Sequence, residues 1–231
     1  MRERITAACA HAGRHPDDVT LIAVTKGVGR PAVDALLAAG VRDLGESRVQ
    51  DALAKFGLRG NDHPPLPPGV RLHMIGNLQT NKAREVVRAF AVVHSLNRVA
   101  LADDLDRAAL ALRKPFAALI EVNLTDEATK QGASVAEARE LARHVLTHCS
   151  ALSLEGLMTI APHTDDADAV RATFRRLREL RDELHRAFPA LPLPVLSMGM
   201  SNDYPIAVEE GATHVRVGRA LFAGIENDTG H

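Results

Sequence analysis

Short, largely apolar runs alternate along this chain with longer stretches whose apolar positions recur at helical spacing. Val19 to Lys26 is the first such run, closed by Gly27. Pro31 to Ala39 then has a helical pattern and stops at Gly40, a C-cap residue. Further strands are predicted near Asp43–Ser47, Leu72–Gly76, Ala91–Leu96, Ala117–Leu124, Leu154–Ile160, Val195–Gly199 and Thr213–Gly218. The clearest further helices lie near Leu101–Leu112, Ser134–His148, Ala167–Phe188 and Asn202–Glu210. Eight strands, each beside a helical stretch, predict an α/β chain with a parallel sheet and crossover helices. The expectation is a single (β/α)8 TIM-type barrel over residues 1–231, with an open doubly wound sheet as the alternative. The Pro-rich stretch 60–69 reads as a surface insertion before the third strand.

The chain's 231 residues carry a formal charge of −1, with 28 basic against 29 acidic side chains. That balance gives no electrostatic reason to seek nucleic acid or an anionic membrane. No apolar stretch approaches the roughly 20 residues of a membrane span, and the charged Met1-Arg-Glu-Arg start does not read as a signal peptide. Two cysteines, Cys9 and Cys149, are too few for a disulfide framework and read as small hydrophobes. A cytoplasmic location is expected.

A barrel demands that chemistry gather where strands end and βα loops begin. The polar residues closing the predicted strands are Lys26, Ser47, Asn123, Ser201 and Arg216, with His73 and Gly76 on the third. Strand alternation puts Ile22, Val24 and Lys26 on one side and Leu21, Ala23 and Thr25 on the other. If the first set faces inward, Lys26 tops the barrel lining, where a desolvated, neutral amine would attack a carbonyl. If the lysine lies just past the strand, it points at water.

Gly199-Met-Ser-Asn202 turns a strand into a short helix capped by Gly211. Free N–H groups there suit an anion, and Ser201 or Asn202 also suits a plain N-cap. Thr213-His-Val-Arg-Val-Gly-Arg219 delivers Arg216 to the inner face and lets a ligand approach the backbone at Gly218. Loops after strands 7 and 8 are the usual phosphate pair in barrels. Lysine and cradle together point to a phosphorylated aldehyde.

The segments Ala23-Val-Thr-Lys26, Leu44-Gly-Glu-Ser-Arg-Val-Gln50, His73-Met-Ile-Gly-Asn-Leu-Gln-Thr-Asn-Lys82, Glu155-Gly-Leu-Met-Thr-Ile160, Ser197-Met-Gly-Met-Ser201 and Val215-Arg-Val-Gly218 span nearly the whole chain. Through them the sequence resembles the pyridoxal phosphate homeostasis proteins. The resemblance implies a barrel like the N-terminal domain of alanine racemase (fold type III), with pyridoxal 5'-phosphate (PLP) as cofactor. It implies that Lys26 holds the PLP aldehyde as an internal aldimine. Ser201, Gly218 and Arg219 would hold the phosphate, Arg216 would face the pyridine nitrogen, and His73, Asn123 and Met158 would line the pocket. Ser47 stands where the family commonly has Asn, and Arg219 where it commonly has Thr; both keep hydrogen-bonding capacity and change reach. Phe222-Ala-Gly replaces the usual Phe-Gly.

A fixed cation opposite the pyridine nitrogen disfavours ring protonation and weakens carbanion chemistry. Racemases of this fold group add a tyrosine from an appended β-domain, whereas this chain stops after its eighth unit. Its one tyrosine, Tyr204, reads as a packing residue. A PLP carrier or buffer, without robust turnover, is therefore expected. A weak amino-acid racemase, or a Schiff-base aldolase using Glu46 or Glu121, is the alternative. The expected partners are PLP and apo PLP-dependent enzymes, and the barrel is expected to stand as a monomer. Lys130, in the loop after the fifth strand, is read either as a solvated lysine or as a transient acceptor of the aldehyde.

His144 and His148 share a helical face, as do His11 and His15 if that segment is helical, yet neither pair has a neighbouring third ligand. No metal site is expected. Arg171, Arg175, Arg176, Arg178 and Arg181 interleave with acids and read as a solvated helix face over the stripe Phe174, Leu177 and Leu184.

Overall fold

The computed structural model describes residues 1–58, 66–125 and 131–222. Eight strands, β1 (Thr20–Val24), β2 (Asp43–Glu46), β3 (Arg71–Met74), β4 (Val92–Leu96), β5 (Phe116–Glu121), β6 (Leu152–Met158), β7 (Val195–Ser197) and β8 (His214–Val217), follow one another around a closed barrel. All neighbours pair in parallel, and β8 returns to β1 with Ile22 opposite Arg216 and Ala23 opposite Val217. The closed barrel replaces the open-sheet alternative. Eight helices lie between or before the strands: α1 (Arg2–His11), α2 (Arg30–Ala38), α3 (Val49–Lys55), α4 (Ala83–Ala89), α5 (Val99–Leu112), α6 (Val135–His148), α7 (Ala167–Ala187) and α8 (Tyr204–Glu209).

Strand alternation sorts the side chains into two unlike layers. Ala23, Leu44, Leu72, Met74, Val93, Ile120, Leu196, Val215 and Val217 join the helices' apolar stripes in one continuous core. At about 25 cal/mol per Å² of buried apolar surface, that outer layer is the main source of stability. The opposite set fills the barrel. Val92, Leu119 and Met158 form a separate small apolar patch there, Ile22 and Val24 are buried on the same side, and much of the rest of the filling is polar. Strands β4 and β7 are not sheet neighbours, so the hydrogen bond between His94 Nδ1 and Ser197 Oγ (2.9 Å) crosses the interior.

Three helices, α1, α3 and α4, go beyond those the periodicity picks out. The helix after β7 starts at Tyr204, two residues later than the pattern predicts, and its cap residue is Asp203, neither Ser201 nor Asn202. Helix α1 ends at His11, and His15 instead accepts a hydrogen bond from the Asp17 N–H at a 3-10 turn, so these two histidines share no helical face. Most of the Pro-rich stretch lies outside the described residues; Leu66 at its end packs against the core.

Candidate functional site

Where β1, β7 and β8 end, the loops enclose a cleft of about 600 Å³. Lys26, Ser201, Arg216, Gly218 and Arg219, five of the nine residues singled out from sequence, line it together with Asp203. Lys26 sits one residue past Thr25 in the turn after β1 and is exposed. The burial that would have desolvated its amine is absent, and the lysine stands at the rim facing water.

Two buried groups fix the strand end that carries it. Lys55 Nζ donates to the Thr25 carbonyl (2.6 Å) and to Glu46 Oε1 (2.7 Å), and Thr25 Oγ1 donates to the same carboxylate oxygen at 2.6 Å. Glu46 lies on the outer face of the wall, against α3, and faces away from the cleft. Lys55 and Thr25 had no visible signal in the sequence, because an isolated lysine at a helix end ordinarily points to solvent.

Arg216 forms the floor. It is 4% exposed, and its guanidinium donates through Nη1 to Ser197 Oγ (2.7 Å) and through Nη2 to the Thr159 carbonyl (2.9 Å). Burial pulls its pKa down to about 10, against the carboxylates of Asp203 and Glu121. It remains a cation at neutral pH. Burial raises Asp203, which also accepts a hydrogen bond from the Met200 N–H, and burial raises Glu121; Arg216 works against both shifts. Gly199 has φ +94° and packs so closely that an added Cβ would stand 2.6 Å from the Ala207 Cβ. At Gly218 a Cβ would meet the Val24 Cβ and carbonyl oxygen at 3.3 Å, so the backbone itself forms that wall.

Helix α7 steadies the loop from outside. Arg171, Arg175 and Arg178 pair with Glu210, and Arg171 also with Glu209, at the end of α8. This arginine face is therefore a tether for the cleft's own helix as well as a solvated surface. Phe174, Leu177 and Leu184 are buried as the stripe predicts.

The other four residues lie elsewhere. Ser47 is half-buried after β2, and its carbonyl approaches Gly76 so closely that a Cβ there would come within 2.2 Å. Met158 is buried inside the barrel in the apolar patch. Asn123 borders a small adjoining cavity with Glu121 and Gln131, and its Oδ1 accepts hydrogen bonds from Thr125 N and Oγ1. His73 does not line the cleft. It lies in the interior and faces a second cavity of about 230 Å³ among Arg71, His94, Glu155 and His214. Lys130, with Asp126 and Glu127, falls outside the described residues. Tyr204 is buried beneath the Arg4 guanidinium and does not line the cleft, as a packing role requires.

Away from the cleft, His144 lies within 4.8 Å of Asp103 and Cys149, while His148 stacks on its ring and stays outside that group. Burial lifts the Cys149 thiol to about 11. Cys9 is fully buried.

Residues 1–225 match the family model described as alanine racemase, N-terminal domain. A pyridoxal phosphate homeostasis protein of Aquifex aeolicus is 40% identical over 221 residues, covering 95% of this chain and 93% of that protein. The chain belongs to the pyridoxal phosphate homeostasis family. Another member, from Escherichia coli K12, is 35% identical over 96% of the chain and 92% of its own length. The structure of PipY from Synechococcus elongatus with PLP bound superposes with a TM-score of 0.83 at 38% identity, covering 96% of this chain and 99% of that one. Alanine racemase of Streptomyces coelicolor shares the fold, at a TM-score of 0.67 and 22% identity over 57% of its chain.

Proposed function

We propose that this chain binds PLP in the cleft at the C-terminal mouth of the barrel and carries or buffers it inside the cell. The observation that carries the reading is the meeting of a lysine amine, a buried guanidinium and a glycine-walled backbone pocket around one cleft. Its volume, about 600 Å³, lies within the range of roughly 300–1,000 Å³ usual for small-molecule sites. The PLP named in the PipY structure supports the same ligand.

The residues present fit the group. When bound, the cofactor supplies an aldehyde that a lysine amine takes up covalently. Lys26 is the amine at the rim. Ser201, the Gly218 backbone and Arg219 form the phosphate side, and Arg216 holds a fixed positive charge at the floor. A donor-only cation there opposes a proton on a facing ring nitrogen. That position favours holding the cofactor over activating a substrate carbon. The relatives are likewise named for homeostasis rather than for a reaction.

The geometry speaks against the aldolase reading. Glu46, one proposed proton carrier, is bonded to Lys55 outside the barrel wall. Glu121 is buried beside Arg216. For a racemase, Tyr204 would have to reach the cleft, and it is buried away from it.

The absorption spectrum of the purified protein with and without added PLP tests the proposal. A yellow species is expected, trapped by borohydride on Lys26 and abolished in Lys26→Ala. A protein that stays colourless with excess PLP would sink it. Retention of the α-proton of added amino acids in deuterated water separates the carrier from a weak racemase.

A further inference from the structure

Much of the polar filling of the barrel is joined in one continuous chain of hydrogen bonds. Arg216 Nη1 donates to Ser197 Oγ (2.7 Å), which meets His94 Nδ1 at 2.9 Å. His94 Nε2 meets His73 Nδ1 at 3.0 Å, and His73 Nε2 meets Asp43 Oδ1 at 2.9 Å. Arg71 Nε donates to the same Asp43 oxygen at 2.7 Å. The chain runs from the floor of the cleft to the cavity at the opposite mouth, where His73, His94, His214, Arg71 and Glu155 converge. His73, His94 and Ser197 are each at most 2% exposed.

The two ends dictate the rest. A guanidinium can only donate and an ionised carboxylate can only accept. Three proton arrangements then satisfy every link, one with both rings neutral and two with an added proton on either His73 or His94. Burial disfavours a charge on His94, which leaves two. In the first, both rings are neutral and carry their proton on Nε2: Ser197 donates to His94, His94 to His73, and His73 to Asp43. In the second, His73 holds an added proton on Nδ1 and donates to both neighbours. His94 stays neutral with its single proton moved to Nδ1, and Ser197 accepts from both His94 and Arg216. The settings differ by one proton, taken from solvent onto His73, and by the direction of the two links that His94 makes.

We infer that Asp43, His73, His94 and Ser197 form a two-setting relay that positions Arg216 and couples its site to a proton on His73. This rests on the reading of Arg216 as part of the PLP site. The surroundings support the arrangement. Burial, with the nearby His73, Arg216 and His214, holds His94 well below the usual histidine range, so His94 passes a proton without keeping it. Burial opposes the Asp43 carboxylate, but hydrogen bonds from His73 and Arg71 outweigh it and keep Asp43 below its ordinary range. The acceptor end therefore persists through neutral and mildly acid pH. An anionic ligand above Arg216 favours the second setting, because added positive charge on the relay then has a partner. By linkage, the proton favours the anion equally.

Nitrogen-15 NMR of the ligand-free protein tests the relay without any cofactor. The expected result is that His94 remains neutral throughout and changes from the Nε2–H to the Nδ1–H tautomer as His73 takes up its proton. An unchanging His94 tautomer, or a His94 that becomes charged, would overturn the inference. Ser197→Ala breaks the link between His94 and Arg216, so it should weaken PLP binding about tenfold and remove the dependence of that binding on the His73 proton, with Lys26 still trapped by borohydride. Ser197→Thr, which restores the hydroxyl, should recover both. Loss of stability in Ser197→Ala with PLP binding still as dependent on the His73 proton as in wild type would reduce the chain to packing. If wild-type protein takes up no PLP while the tautomer switch is seen, the functional reading fails and the relay stands.

Discussion

Replacing Lys55 with methionine should unfasten the strand end that presents Lys26. The ammonium makes two short bonds, to the Thr25 carbonyl and to Glu46 Oε1. Its side chain is 13% exposed and that of Glu46 1%. Methionine preserves the packing of the aliphatic stem and removes only the charge and its donors. The Glu46 carboxylate, whose Oε2 already lacks a partner among the described residues, is left buried beside one hydroxyl. Breaking a buried ion pair from one side typically costs about 3–5 kcal/mol. A whole domain is stable by only about 5–15 kcal/mol. With a urea dependence of about 2–3 kcal/mol per M, the unfolding midpoint of Lys55→Met should fall by about 1–2.5 M. Glu46→Gln/Lys55→Met removes the stranded charge and should recover at least half of that loss, a large positive coupling in a double-mutant cycle. Borohydride trapping at Lys26 should slow in the single variant. A Lys55→Met midpoint equal to wild type, or a double variant no more stable than Lys55→Met, would refute this account of the ion pair.

Gly199→Ala should be destabilised by about 3 kcal/mol in urea unfolding, since a left-handed φ and a Cβ placed 2.6 Å from Ala207 add strain to overpacking; a midpoint within experimental error of wild type would remove the close approach from the argument. His214 is lowered to about 4, mainly by burial, whereas an unfolded histidine titrates near 6.5. Stability should therefore be full above about pH 6.5 and fall by up to about 3 kcal/mol towards pH 4, and His214→Asn should flatten that slope. Asp106 Oδ1 accepts the N–H groups of Ser150, Ala151 and Leu152 at 2.7–2.9 Å. Asp106→Ala should speed hydrogen exchange at these amides and cost about 3 kcal/mol, with Asp106→Asn closer to wild type.

The strands were legible as short, largely apolar runs closed by glycine or polar residues, and alternation put Ile22 and Val24 on the inner side together. The long helices α5, α6 and α7 show their stripe over several turns. Helices α3 and α4, of seven residues each, are too short for periodicity to declare itself, and α1 is polar on most of its surface. The cleft was legible as a set of strand ends, and Lys26, Ser201, Arg216, Gly218 and Arg219 do gather there. What the residue pattern could not show is depth. His73 ends an apolar strand just as Arg216 does, yet it lies at the other cavity because β3 meets the interior at a different height. Nor could spacing pair His94 with Ser197, which lie 103 positions apart and meet only when the sheet closes.

That closure has a consequence for how the molecule is made. The lysine rim follows the first strand and the Gly218–Arg219 wall follows the last, and the two are neighbours only through the β1–β8 ladder. A chain emerging from the ribosome has Lys26 long before it has Arg216, so the cleft cannot exist until the final strand is synthesised and docked. Contacts of such sequence separation form slowly, because loop-closure entropy opposes them until the ladder is complete. A ligand bridging the two ends acts as a clasp on the finished ring, and its uptake during synthesis would time the closing of the barrel.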